Sequence, residues 1–511
     1  MKQSLKYIAT LFFAVILLGS CKKFLAESSP DEIRPTSTQD LNSLMIGTAY
    51  PYQTPMDLYQ DLLTDDIKCN GLPLLANGQP NTTYSSYLTN GTYLFSWNPA
   101  MFDRGATGLL LDQDSWQIYY KLINGCNLIK DYVEKVTGTE KEKNAMLGQV
   151  LFLRAFYYLK LVNIYAQPYN GSGVNPATAP GVPLILSSVV SDERKKRNSV
   201  AEVYAQIEQD LLAAADLLKN NYTLPNSFRV GHIAAYALLS RMYLYMGRNE
   251  DLDKAIQYAN SVIAERPTLT ILKSYFTSAT AFSNAGIYDI NASQEIIWGY
   301  GLNPTTQASY LTPNNFINLN PPFSVSNELS NLYDKGTGTT NQGDLRYVAY
   351  FAKYTNNSVQ YPLRSAKIGT TQNYGDRGIR AAEVYLNRAE ALIKRYKLSG
   401  NAADLTQALS DINTLRLSRY DTRNVAYTPV NITNADALYA FYQDERRREL
   451  CLEEGHRWFD IRRWAVPVTH TFIDANAVST TYTLNANSLI YALPIPYTAM
   501  ENNYNLAQNP R

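Results

Sequence analysis

The pattern Tyr243-x3-Gly247-x3-Asp251-Leu252-x2-Ala255 recurs as Tyr396-x3-Gly400-x3-Asp404-Leu405-x2-Ala408, and Asn260 and Asn413 keep the same offset beyond it. Each block reads as two antiparallel helices joined by a turn at the glycine. A helix hairpin cannot bury its apolar face alone and has to stack on a neighbour. The two blocks are far apart in the chain, so a helical scaffold must assemble from discontinuous pieces.

Hydrophobic periodicity predicts helices near 114–136, 140–166, 199–220, 230–247, 251–264, 378–397, 402–418 and 435–454. The second is apolar nearly all round, through Leu151, Leu153, Phe156, Tyr157, Leu159 and Val162, and is expected at the centre of the fold. Segments 69–112, 167–198, 266–377 and 419–434 lack a strong helical period. Loops of this length either carry function or are ordered by packing onto a scaffold. Ile296-Ile297-Trp298 reads as a short buried strand. The fold class is therefore mainly α, with long irregular segments and few short strands.

Residues 445–464 hold six arginines, five carboxylates and two tryptophans. Trp458, Ile461 and Trp464 are three apart, on one helical stripe. Gly455 is expected to end a helix begun near Asp436 through a left-handed cap, with a second short helix starting at His456. Arginine meets carboxylates in two-point contact and stacks on rings, so these charges are expected to pair in partly buried positions.

Glu445-Arg446-Arg447, Glu449-Leu450, Glu454-Gly455, Arg457-Trp458-Phe459-Asp460 and Arg463-Trp464 resemble the C-terminal signature of the SusD/RagB family of outer-membrane nutrient-binding lipoproteins. Leu493-Pro494-Ile495-Pro496 through Glu501 to Pro510 resembles that family's closing pattern. At the other end, Lys2 and Lys6 precede an apolar run from Ile8 to Leu18 and then Gly19-Ser20-Cys21. The run is shorter than the ~20 residues a membrane-spanning helix needs. It reads as a signal peptide, and the cysteine resembles a lipobox. Residues 1–20 are thus expected to be removed, Cys21 to be lipidated, 21–39 to form a tether and 40–511 to form one SusD-like domain.

The resemblance implies a discontinuous helical-hairpin scaffold near 114–166, 199–264 and 378–464, with loop-rich ligand-side segments near 69–112 and 266–377. The Tyr…Gly…Ala order of the hairpins resembles tetratricopeptide repeats with a longer turn. The function implied is a glycan-binding lipoprotein of the cell surface. It would pass oligosaccharide to a partner TonB-dependent outer-membrane transporter of the SusC type, which faces the helical side. Peptide capture, as in RagB-like members, and a purely structural partner of the transporter are the alternatives. Glu445, Arg446, Glu449, Gly455, Arg457, Trp458, Asp460, Arg463 and Trp464 are expected as scaffold rather than ligand site, because buried ion-pair networks mostly fix geometry.

The chain gives little support to catalysis. Its three histidines form no metal-binding pair, no Gly-x-Ser-x-Gly elbow exists, and Cys69, Cys126 and Cys451 make neither a disulfide framework nor a zinc pattern. Asp65-Asp66 is expected to cap or end the first helix, and Asp114 to cap the helix at Ser115. No metal or cofactor is expected. A net charge of +1 offers nothing to nucleic acid. Tyrosine is in excess, 40 against 16 Phe; its amphipathic ring suits half-wet surfaces. Trp97 and Asn98, with Tyr300 and Tyr310, are the candidates for an aromatic platform under a neutral oligosaccharide.

Overall fold

The computed structural model describes residues 35–52, 56–75, 77–105, 114–301, 321–356, 359–369, 375 and 377–511. Cys21 and Tyr310 lie outside them, as do the signal peptide and most of the tether. The helices are α1 (Thr38–Thr48), α2 (Ser85–Phe95), α3 (Ser115–Tyr132), α4 (Glu140–Tyr165), α5 (Val200–Asn221), α6 (His232–Met246) and α7 (Leu252–Glu265). They continue with two short ones, α8 (Asn327–Asn331) and α9 (Arg346–Ala349), then α10 (Ala381–Ser399), α11 (Ala402–Arg419), α12 (Ala435–Leu450), α13 (His456–Trp464) and α14 (Tyr497–Asn502). The strands are β1 (Ile67–Cys69), β2 (Ile296–Tyr300), β3 (Phe323–Val325), β4 (Phe351–Asn356), β5 (Val359–Ser365), β6 (Arg377–Arg380), β7 (Val468–Ile473) and β8 (Ser479–Leu484). They form four separate antiparallel pairs, β1 with β3, β2 with β6, β4 with β5 and β7 with β8. The protein is mainly helical with few short strands.

Helix α4 is the hub. Thr139 and Glu142 close a capping box at its start, and from Gly148 to Tyr165 every residue is buried. It packs on α3 and α5; α5 meets α6, α6 meets α7, and α7 meets α10, which also holds α11 and α12. The two echoed blocks are the hairpins α6–α7 and α10–α11. Each turns at a left-handed glycine, Gly247 at φ 70° and Gly400 at φ 69°. In each, the glycine N–H donates to the tyrosine carbonyl four residues back. The hairpins lie against one another through α7 and α10, although over a hundred residues separate them in the chain, and Arg241 of α6 donates two bonds of 2.6 Å to Glu383 of α10. Cys69, Cys126 and Cys451 are buried thiols.

Three expectations need correction. Helix α2 lies within the segment read as irregular. Its Ser, Thr, Asn and Gly weaken helical preference, but Leu88, Gly91, Leu94 and Phe95 give it a buried face. A Cβ on Gly91 would come within 2.4 Å of the Phe323 ring, so packing rather than propensity explains that glycine. Helix α12 ends at Leu450, not at Gly455. Between them Leu452 and Glu454 take left-handed backbone at φ 53° and 58°. That turn points Glu453 and Glu454 inward to buried cations, which offsets the strain. Lastly, Asp65 and Asp66 do not cap a helix: they pair with Arg457 and Arg447. Asp114 does cap α3, accepting from the Gln117 N–H at 3.1 Å.

Candidate ligand site

The charged stretch folds inward. Glu449 accepts from Arg346, Arg380, Arg419 and the Tyr350 hydroxyl at 2.8–3.1 Å. Arg380 and Arg419 both reach Glu295 as well. Glu445 pairs with Arg346, Arg416 and Arg448. Asp460 accepts from Arg446 and Arg463, each at 2.8 Å, and Glu390 takes the rest of Arg463 and the Trp464 indole N–H. Burial would raise the Glu453 carboxyl, but Arg380 and Lys367 outweigh it and hold it at about 2. Trp458 is fully buried. At Gly455 a Cβ would overlap the Gln60 side chain. These side chains hold elements of distant sequence together.

From this network a chain of contacts runs to a surface cavity. Glu454 pairs with Lys160 at 3.2 Å, and Lys160 with Asp57 at 3.2 Å. The Tyr300 hydroxyl donates to Glu454 at 2.5 Å. Burial, then the Glu454 charge, pushes this phenol far above its ordinary value, so it stays a neutral donor. The Tyr300 ring forms part of the wall of a cavity of about 380 Å³. Its other walls are Ile46 of α1, Tyr52, the Asn226–Arg229 turn before α6, and the glycines Gly301 and Gly375. Tyr52 stacks on Tyr50 with ring centres 5.1 Å apart and donates its hydroxyl to the Phe228 carbonyl. Arg229 donates to Asn42 at 2.7 Å and Gln149 at 2.8 Å while lying over the Tyr50 ring at 4.6 Å. Rings and polar groups are thus held in place from three elements. A shallow wall of this kind can stack on an apolar sugar face and bond to hydroxyls at its edge.

The sequence candidates fare differently. Trp97 is a core residue: it is 5% exposed, donates its indole N–H to the Leu63 carbonyl at 3.0 Å and stacks on His470 at 4.1 Å. Asn98 is half-buried and spends its side chain on the Ala100 N–H, forming a turn. Tyr300 is 1% exposed, its ring packed on Phe156 and Trp298, so it offers no open face. The reason is common to both rings: a long loop laid onto a helical scaffold buries its largest side chains. Trp298 is likewise interior, set edge-on between Phe152 and Phe156. The open positions that sequence reasoning missed are Tyr52, Phe228 and Arg229. The one signal was an aromatic, Phe228, alone in the polar turn before a helix. Among the described residues no cluster of His, Cys, Asp and Glu is arranged to hold a metal.

A discontinuous helical-hairpin scaffold closed by buried ion pairs, with an aromatic-lined cavity beside it, defines the class of fold. Two family models match successive stretches: one described as starch-binding, associating with the outer membrane, over residues 76–244, and the SusD family over 289–511. The chain belongs to the SusD/RagB family. It is similar to SusD-like protein P2 of Formosa agariphila, 26% identical over 77% of this chain and 79% of that one. SusD-like protein P38 of the same organism is 24% identical over 68% and 71%. Among solved structures, a SusD superfamily protein from Bacteroides thetaiotaomicron superposes with a TM-score of 0.69 at 22% identity, covering 93% of this chain and all of that one. A SusD-like carbohydrate binding protein from Bacteroides vulgatus does so at 0.63 and 22%, covering 92% and 97%. At such identity these likenesses speak for the fold.

Proposed function

We propose that the protein is a cell-surface lipoprotein that captures neutral oligosaccharide and passes it to a TonB-dependent outer-membrane transporter of the SusC type. It binds and does not catalyse. The observation that supports this most directly is the cavity that Tyr52, Phe228 and Arg229 line together with the buried Tyr300. The carbohydrate-binding relative of the same fold adds to it. Anchoring is through lipidated Cys21, and the stacked hairpins α6–α7 and α10–α11 supply the surface for the transporter.

The test is calorimetric titration of residues 22–511 with a panel of neutral oligosaccharides and peptides. Saturable binding of a glycan is expected; a peptide as the only ligand would overturn the sugar reading. Cys21→Ala should release the full chain from the membrane fraction. Sedimentation of that variant with outer membranes after a salt wash would rule out the lipid anchor.

A further inference from the structure

We propose that a second cleft, between the start of α3 and the C-terminal segment, is a separate binding site for neutral oligosaccharide. It encloses about 680 Å³ and shares no residue with the cavity at Tyr300. Trp116, Gln117 and Tyr120 of α3 line one side, Arg194 another, and Tyr497 with Asn502 of α14 a third. The proposal rests on the glycan reading above and extends it to a site of different composition.

Trp116 is the central observation. It is 7% exposed and packs on Tyr120 and Tyr165 with ring centres 5.1 and 5.0 Å away. The indole N–H groups of Trp97 and Trp464 are bonded to Leu63 and Glu390. Those of Trp298 and Trp458 are sealed in the core without an acceptor. The Trp116 N–H has no acceptor among the described residues, yet it is not one of the sealed groups, and Trp116 lines the cleft. A donor fixed at the edge of a rigid, nearly buried ring is suited to a hydroxyl acceptor. Beside it the exposed Gln117 amide bonds to no described residue, and Asn502 donates to the Thr498 carbonyl at 2.8 Å while its own carbonyl oxygen stays open.

Most of the lining charges are spent on one another. Glu193 pairs with Lys195, and Glu501 with Arg104, whose guanidinium lies over the Tyr497 ring at 5.3 Å. Arg194 has no carboxylate among the described residues. The buried Asp114 is not among the lining residues; it caps α3 and accepts from the Thr498 hydroxyl at 2.6 Å. Arg194 is thus one unpaired cation in a lining whose other charges are matched. What remains is aromatic edge, amide and guanidinium donors, the set that meets a row of hydroxyls.

The experiment is calorimetry of residues 22–511 with maltohexaose, cellohexaose, mannohexaose and xylohexaose. The binding sugar is expected to occupy two sites per chain. Phe228→Ala should weaken one roughly fivefold, and the surface pair Gln117→Ala with Arg194→Ala should remove the other. Trp116→Phe keeps one aromatic ring but loses the N–H with the fused ring that carries it, so it should weaken the second site at least roughly fivefold, the worth of one hydrogen bond. It should also abolish the part of the ligand-induced change in tryptophan fluorescence that the Phe228→Ala variant retains. One site per chain, untouched by the Gln117 and Arg194 substitutions, would overturn the second site and leave the first. Failure of every glycan to bind the unaltered protein would overturn the glycan reading itself, and this proposal with it.

Discussion

Arg457 and Asp65 stand 392 residues apart in the chain and meet in a two-point ion pair, Nε to Oδ1 at 2.7 Å and Nη2 to Oδ2 at 2.8 Å. Arg447 holds the same carboxylate at 3.1 Å. Burial would raise the Asp65 carboxyl, but Arg457 and Arg447 bring it down to about 2. The pair ties the turn before β1 to α13 and so closes the two ends of the fold on one another.

Asp65→Ala should therefore destabilise the protein by about 3 kcal/mol, the low end for breaking a buried pair, because Asp65 keeps some solvent contact. Replacing both partners, Asp65→Leu with Arg457→Met, should cost less than the single change, since no charge is then left alone. The check is the urea midpoint of each variant. An unchanged midpoint in Asp65→Ala would mean the pair is incidental.

Acid should weaken the fold in two stages. His456 titrates well below its ordinary 6.5, through burial and then Arg241 and Arg446. That ring stays neutral when folded and can protonate when unfolded. Its contribution is present above pH 6.5 and lost as pH falls below it. Glu453, depressed to about 2 when folded, contributes above its ordinary 4.5 and loses that contribution as pH falls toward 2. Unfolding near pH 5 should take up roughly one proton, with a steeper loss below 4.5. A urea midpoint that is flat between pH 7 and 5 would contradict the first stage.

The glycines should separate by cause. Gly400→Ala meets no atom within 4 Å but must hold φ at 69°, so it should cost about 1 kcal/mol from backbone strain alone. Gly125→Ala would put its Cβ 2.1 Å from the Thr48 carbonyl oxygen, forcing α1 off α3. Its cost should be about 3 kcal/mol or more. Thermal melts that rank the two the other way would show the α1–α3 contact to be looser than described.

At the cavity, Tyr52→Ala and Phe228→Ala should each weaken glycan binding by about 1 kcal/mol, the scale of one aromatic contact. Trp97→Ala should instead lower stability and leave the affinity of the folded fraction unchanged. Full affinity in both cavity variants, with intact circular dichroism, would move the site elsewhere.

Much of the scaffold was legible from local pattern. The helices from α3 to α7 and from α10 to α12 follow apolar periodicity and capping residues such as Asp114 and Thr139. The hairpin glycines mark real left-handed turns. The signature residues identify the family because arginine–carboxylate geometry demands particular residues at particular spacings. Helix α2 was not legible, since its propensity is poor and only Phe323, far along the chain, makes sense of Gly91.

The ligand site was the least legible part. Trp97 and Phe228 both sit beside turns in polar surroundings, and nothing local tells a ring that will be buried from one that will face water. By itself the sequence determined the helices α3 to α7 and α10 to α12, that two hairpins must stack, and that the charges of 445–464 pair. The tertiary structure decided the partners: Asp65 for Arg457, Glu295 for Arg380 and Arg419, and His470 as the platform beneath Trp97. The physical reason is range. Helical period and capping act over a few residues, whereas burial and ion pairing act between any groups that the folded chain brings into contact.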